Sequence, residues 1–228
     1  MIAPDWTART RRVLVVGPSS SGKSSWAEVF LRGWSGMAWA FDHKTEFAKR
    51  CKLRPVSHLS ELETALPGGR IAFNPHVDFE GRTSDAFNLF AAVCSSAAKR
   101  LEGEKLFVVD ELQDWIGAGR YELPASVARI LESGRGYHLS TLALSQAGTL
   151  VNARLRQQFS EVVAFGQRDT RAFMFLADCG FNVEAVRALG HLAFIHRNLD
   201  TGAESFGRLA FQHGQALIVG AGRSTARQ

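Results

Sequence analysis

The sequence is poor in cysteine and has no long apolar run. Its three cysteines, Cys51, Cys94 and Cys179, stand far apart without metal-ligand spacing and are odd in number. That excludes a disulfide framework and a cysteine zinc site, and predicts buried, reduced thiols. No stretch approaches the ~20 apolar residues that span a bilayer. The opening Met1-Ile2-Ala3-Pro4-Asp5-Trp6 lacks the apolar region of a secretory leader, so a soluble, non-secreted protein is expected. There is no internal repeat, long linker or low-complexity segment.

What is present suits one α/β domain. With 228 residues and 46% hydrophobic content the chain can bury a substantial core but is short for two domains. The boundaries expected are a basic N-terminal arm over 1–12, a core domain over 13–212 and a flexible tail over 213–228. The net charge of +5 and a pI near 9.4 favour a polyanionic partner, because surface cations gain by displacing counterions from phosphate. Arg9, Arg11 and Arg12 crowd the arm, and Arg223 and Arg227 lie in the tail.

Residues Gly17-Pro18-Ser19-Ser20-Ser21-Gly22-Lys23-Ser24 match the pattern glycine, any four, Gly-Lys-Ser. The preceding Val13-Leu14-Val15-Val16 reads as a buried parallel strand, and Ser24 to Leu31 as a helix. Strand, glycine loop and helix in that order make a phosphate cradle of backbone N–H groups at a helix N-terminus. Gly17, Pro18, Ser19, Ser20, Ser21, Gly22, Lys23, Ser24 and Ser25 are therefore candidate nucleotide-binding residues. Lys23 would neutralise the β and γ oxygens, and the Ser24 hydroxyl would complete a Mg²⁺ shell. ATP with Mg²⁺ is the expected ligand.

Further along, Met37–Phe41, Arg70–Asn74, Leu106–Val109, Leu139–Leu144 and Val162–Phe165 read as strands. Helices are expected at Ser60–Leu66, from Ser84 or Asp85 to Leu101, at Pro124–Glu132 and at Asn152–Phe159. Two short helices, Thr170–Ala177 and Val183–Leu189, then precede strands at Leu192–His196 and Ser205–Leu209, an antiparallel hairpin at one sheet edge. The fold class predicted is α/β, a mostly parallel sheet flanked by helices with a small C-terminal antiparallel extension.

Asp110-Glu111 ends an apolar strand, where Asp110 would hold the metal and Glu111 would orient water for attack on the γ-phosphate. Gln146, at the end of the Leu139–Leu144 strand, could sense the γ-phosphate or bond the next loop. Arg135, on the glycine-flanked Gly134-Arg135-Gly136, could reach a neighbouring subunit's nucleotide as a trans-acting finger, with Arg168 and Arg171 as reserves. Trp115 reads as packing under a loop.

Together these residues resemble the FtsK–HerA superfamily of P-loop (RecA/ASCE-like) DNA-pumping ATPases, above all the genome-packaging ATPases of tailless, membrane-containing icosahedral viruses. Beyond the glycine loop and the Asp110-Glu111 pair, the resemblance rests on four segments. They are Phe41-Asp42-His43-Lys44-Thr45-Glu46-Phe47, Gly134 to Leu139 through Ser145-Gln146, Val163 to Asp169, and Leu176 to Phe181. It spans roughly Val13 to Leu209; Gly134-Arg135-Gly136 is shorter than the usual arginine motif. The resemblance implies ATP-driven translocation of double-stranded DNA into a preformed capsid. The motor would be a ring of identical subunits, hexamer or pentamer, in the host cytoplasm or virion, docked on capsid-vertex or viral membrane proteins. Candidate DNA-gripping linkers are Ile116 to Tyr121 and Ala147-Gly148-Thr149.

The alternatives are a phage assembly or export ATPase, a small-molecule kinase, or a nucleotide-gated DNA-binding scaffold. The absence of a Leu-Ser-Gly-Gly-Gln signature before Asp110 argues against a transporter-type ATPase.

Overall fold

The structure, a computed structural model, describes residues 10–116, 124–151 and 153–224. In chain order the elements are β1 (Arg12–Val16), α1 (Lys23–Arg32), β2 (Met37–Phe41), α2 (Glu46–Arg50), β3 (Arg54–Val56), α3 (Leu62–Ala65), β4 (Arg70–Phe73), α4 (Thr83–Arg100) and β5 (Lys105–Val109). They continue with α5 (Leu112–Trp115), α6 (Ala125–Ser133), β6 (Leu139–Ser145), α7 (Ala153–Arg156), β7 (Glu161–Phe165), α8 (Thr170–Asp178), α9 (Val183–Arg187), β8 (Ala193–Asn198), β9 (Glu204–Gln212) and β10 (Gln215–Ser224). The strands follow the order β10-β9-β8-β7-β1-β6-β5-β2-β4-β3. β7 runs parallel to β1, and β5, β4 and β3 run parallel in the β2 group. β8, β9 and β10 add antiparallel strands beyond β7. The predicted fold class holds.

Contacts divide the described residues into two compact units. In the first, 10–11, 30–110 and 124–142, the side of the sheet under α4 is an aromatic core. Phe41, Phe73, Phe87, Phe90 and Phe107 lie with ring centroids 5.2–6.3 Å apart. The 3.6-residue period of α4 buries Phe87, Phe90, Cys94 and Ala97 on one stripe.

Caps differ from expectation. The Ser60-to-Glu63 segment does not cap itself; a 3₁₀ turn over Leu59–Glu61 leads into α3, and the Leu59 N–H donates to Asp78 Oδ2 at 2.6 Å. A carboxylate nineteen residues away does what the local pattern seemed to offer. Neither Ser84 nor Asp85 caps α4, which starts at Thr83 without a side-chain cap.

The second unit, 12–29, 111–116, 143–151 and 153–224, carries β1, β7 and the antiparallel strands. Trp26 on α1 meets Phe194 and His196 edge-on at 6.4 and 6.2 Å, which fastens the helix to β8. Glu161, 2% exposed, accepts from His196 Nε2 at 2.8 Å, so this buried carboxylate has a charge-capable partner.

β3, α2 and β10 were absent from the sequence reading. Much of the stretch expected to be a flexible tail is β10, hydrogen-bonded to β9 over Gln215–Val219 and Gly222–Ser224 with a bulge between them. Its small and apolar residues carry few turn signals, but a free edge of β9 supplies the backbone partners. Cys51 and Cys94 are buried, whereas Cys179 is half-buried. Arg9 and Arg227 lie outside the described residues, as does most of Ile116 to Tyr121.

Candidate nucleotide site

β1 positions the glycine loop because Val13 to Val16, 0–1% exposed, fix the strand in the core. Past Val16 the Gly17 N–H donates to the Ser145 carbonyl at 3.2 Å, so the ends of β1 and β6 are tied together. The loop closes on itself through Ser21 N–H to Pro18 O at 3.2 Å, and α1 begins with Trp26 N–H to Gly22 O at 2.9 Å. Gly22 has φ +110°, a left-handed conformation that L side chains rarely adopt. A Cβ at Gly17 would lie 2.5 Å from Ser21 Oγ and 2.8 Å from Phe165 Cβ, so that position has no room for one.

Lys23 is 6% exposed, and its Nζ donates to the carbonyls of Gly17 at 2.8 Å and Pro18 at 3.2 Å. The ammonium thus lies over its own loop. Ser21 Oγ is buried without a hydrogen-bond partner. A loop that holds a cation on its carbonyls and keeps an unpaired hydroxyl fits an anionic, acceptor-rich ligand such as a nucleotide's phosphates. Ser24 is half-buried in the first turn of α1 and Ser25 is buried there.

One flank of the loop opens into a cleft of about 510 Å³. Pro18 to Ser21 form one wall, Phe165 to Arg168 another, and Arg187 with Leu189 to Ala193 the third. Gln167 Nε2 is buried there without a partner. Arg187 stacks its guanidinium over the Phe173 ring at 4.5 Å, which fixes it at the rim. The exposed Arg168 therefore shares a cleft with the glycine loop of its own chain, while Arg171 does not line it. The residue pattern marks Gln167 and Arg168 but not this cleft, and carries no signal for the Leu189–Ala193 wall.

Gln146 is exposed just past β6, and the neighbouring Ser145 Oγ donates to Ala147 O at 3.0 Å. Of the candidate linker there, Gly148 is buried, its Cα facing the Phe175 ring. Asp110 and Glu111 follow β5, each 9% exposed. Glu111 is left-handed, with φ 48° and ψ 52°, and accepts from Gln113 Nε2 at 2.5 Å. Gln113 was not singled out by the sequence.

Arg135 is exposed on a 3₁₀ turn over Gly134–Tyr137. Gly134 is required there, because a Cβ would sit 2.9 Å from the Leu139 carbonyl, whereas Gly136 faces open space. Asp42, 3% exposed, accepts from the N–H groups of Glu46, Phe47 and Ala48 at 2.9–3.1 Å. The Asp42-to-Phe47 segment is thus a helix start capped by its aspartate. Trp115, 6% exposed, is packing as expected.

Among the described residues no group of three or more His, Cys, Asp or Glu could hold a metal ion. A magnesium ion suits this setting only by taking most of its shell from phosphate and water, as the residues of a phosphate loop require. No described helix is long and apolar enough to cross a membrane.

No known protein-family model and no curated protein sequence matches the chain. Solved structures do. The genome packaging NTPase B204 from Sulfolobus turreted icosahedral virus 2, in complex with AMPPCP, superposes with a TM-score of 0.70 at 16% identity, covering 86% of this chain and 96% of that one. B204, the DNA-packaging ATPase from Sulfolobus Turreted Icosahedral Virus, gives 0.68 at 15% identity over 90% and 97%. This chain has the fold of those P-loop NTPases. A protein described as an ATPase has the same fold more loosely, with a TM-score of 0.52 at 14% identity over 97% of this chain and 84% of that one. On the P-loop NTPase fold, the ends of β1, β6 and β7 are where a nucleotide is expected, since ligands of open α/β sheets lie beyond the carboxyl ends of the strands.

Proposed function

We propose that this chain hydrolyses ATP and uses the energy to move double-stranded DNA, packaging a viral genome into a preformed capsid as a ring of identical subunits. The observation that carries the reading is the phosphate loop, with Lys23 held on the Gly17 and Pro18 carbonyls beside an unpaired Ser21 hydroxyl. Similarity of fold to the packaging NTPase B204 supports the coupling to DNA, as does the net charge of +5.

In this reading the phosphates lie on the N–H groups of Gly17 to Ser25, and Lys23 swings from its carbonyls to the β and γ oxygens. Mg²⁺, when bound, offsets phosphate charge, and Ser24 and Asp110 would hold it. Glu111 takes a proton from water as the water oxygen bonds the γ-phosphorus and the bond to the ADP oxygen breaks. Gln146, beside β6, contacts the γ-phosphate. With that end of the nucleotide on the β6 flank, the nucleoside extends to the cleft on the β7 flank. Arg168 then serves its own chain's nucleotide, which leaves the exposed Arg135 as the leading trans-acting finger with the exposed Arg171 in reserve.

The test is steady-state ATP hydrolysis with and without long double-stranded DNA, over protein concentrations that span assembly. Stimulation by DNA that rises with concentration and is lost in Lys23→Ala and Arg135→Ala supports the ring motor. Turnover indifferent to DNA and to Arg135→Ala refutes it in favour of a kinase. Glu111→Gln should cut turnover to a small residual rate and retain ATP binding; activity that survives this change in full indicates a nucleotide-gated scaffold.

A further inference from the structure

Glu111 is held in an unusual way. A non-glycine residue at φ 48° and ψ 52° is strained, and such residues persist where the surroundings over-determine them. Here the left-handed turn reverses the chain after β5, and Asp114 N–H closes it on the Glu111 carbonyl at 2.8 Å. Leu112, 2% exposed, anchors the turn in the core. The consequence is that Glu111 and Gln113 bring their side chains together, with Gln113 Nε2 donating to Glu111 Oε2 at 2.5 Å. Only the amide nitrogen can donate to a carboxylate, so the orientation of the Gln113 amide is chemically fixed. Its carbonyl, Oε1, is then left buried without a hydrogen-bond partner. A buried acceptor without a donor is costly unless something polar uses it.

We propose that Gln113 is a positioning residue for hydrolysis: its Nε2 fixes the Glu111 carboxylate that orients the attacking water, and the cost of its unpaired Oε1 marks a side chain held in place for that contact. The proposal rests on the ATP hydrolysis proposed above, and adds to it a residue that a search for an acidic pair cannot find.

The experiment compares the full-length wild type with Gln113→Ala, Gln113→Glu, Glu111→Gln and the Gln113→Ala/Glu111→Gln double variant. It measures steady-state ATP turnover, equilibrium binding of a fluorescent ATP analogue, and the thermal midpoint. Gln113→Glu keeps the side-chain length but replaces the donor with a like charge, so it serves if alanine loosens the turn. Both Gln113 variants should lower kcat about tenfold or more with KM and analogue affinity within about twofold of wild type. In the Glu111→Gln background the further change to Ala should alter residual turnover by less than about twofold, because the two side chains act as one unit.

Wild-type kcat in both Gln113 variants overturns the proposal, as does an equal fold-loss in both Glu111 backgrounds. A wild-type chain that binds no ATP analogue instead overturns the ATPase reading, and this proposal with it.

Discussion

Lys23 Nζ donates to the Gly17 carbonyl at 2.8 Å, so the cation of the phosphate loop is stored on the loop it serves. The bond, with its companion to Pro18 O, gives a side chain only 6% exposed two carbonyl acceptors for its ammonium. On binding, the ammonium would exchange two carbonyls for phosphate oxygens. Lys23→Ala should therefore weaken ATP binding about tenfold to a hundredfold, since charged hydrogen bonds contribute about 1.5–3 kcal/mol. Fluorescence anisotropy of a labelled ATP analogue measures this; unchanged affinity would remove Lys23 from the site.

Arg70 on β4 closes the end of α1. Its guanidinium donates to Leu31 O at 2.7 Å, to Trp34 O at 2.5 Å and to Gly36 O at 3.3 Å. These carbonyls lie at the helix C-terminus and just beyond it, where intrahelical donors run out. Arg70→Ala should destabilise the fold by about 2–3 kcal/mol, and Arg70→Lys should recover only part, because a point charge cannot span three carbonyls. Urea denaturation reads both values.

Gly148 and Gly136 make a contrasting pair. A Cβ on Gly148 would fall 2.0 Å from Phe175 Cε1, whereas one on Gly136 meets nothing within 4 Å. Gly148→Ala should cost about 1–3 kcal/mol by overpacking, and Gly136→Ala should stay within about 0.5 kcal/mol of wild type. Equal effects in thermal unfolding would mean that the Gly148 turn is not packed against α8.

Burial pushes the Cys179 thiol up to about 11, with Asp178 adding to the rise and Arg156 and Arg197 opposing it. At pH 8 only roughly one molecule in a thousand carries this thiolate, so alkylation of the native chain should be far slower than of the unfolded chain. The sign for stability follows. Above an ordinary thiol pKa of about 8.5 the unfolded chain releases the proton while the folded chain keeps it, so this contribution falls between about pH 8.5 and 11. Burial also raises the Cys94 thiol. A Cys179→Ser variant should show a shallower alkaline loss of stability in denaturant titrations.

The sequence made the parallel strands legible because Val13–Val16 and Leu106–Val109 are unbroken apolar runs, which only a strand covered on both faces tolerates. It also located the glycine loop, whose spacing is a local property of the chain. Less legible were the devices that join distant residues. Asp78 caps the turn at Leu59, Arg70 caps α1, and neither partnership is local enough to leave a motif. β10 escaped notice because its pairing with β9, not its own composition, makes it a strand.

By itself, then, the sequence determined the α/β class and the phosphate loop, since both follow from hydrophobic period and short-range backbone needs. Tertiary structure alone decided that Arg168 shares a cleft with its own loop, that Asp42 spends both carboxylate oxygens on a helix start, and that Gln113 meets Glu111. Those outcomes depend on where a turn aims a side chain. A single left-handed residue such as Glu111 changes that direction with no mark in the residue pattern.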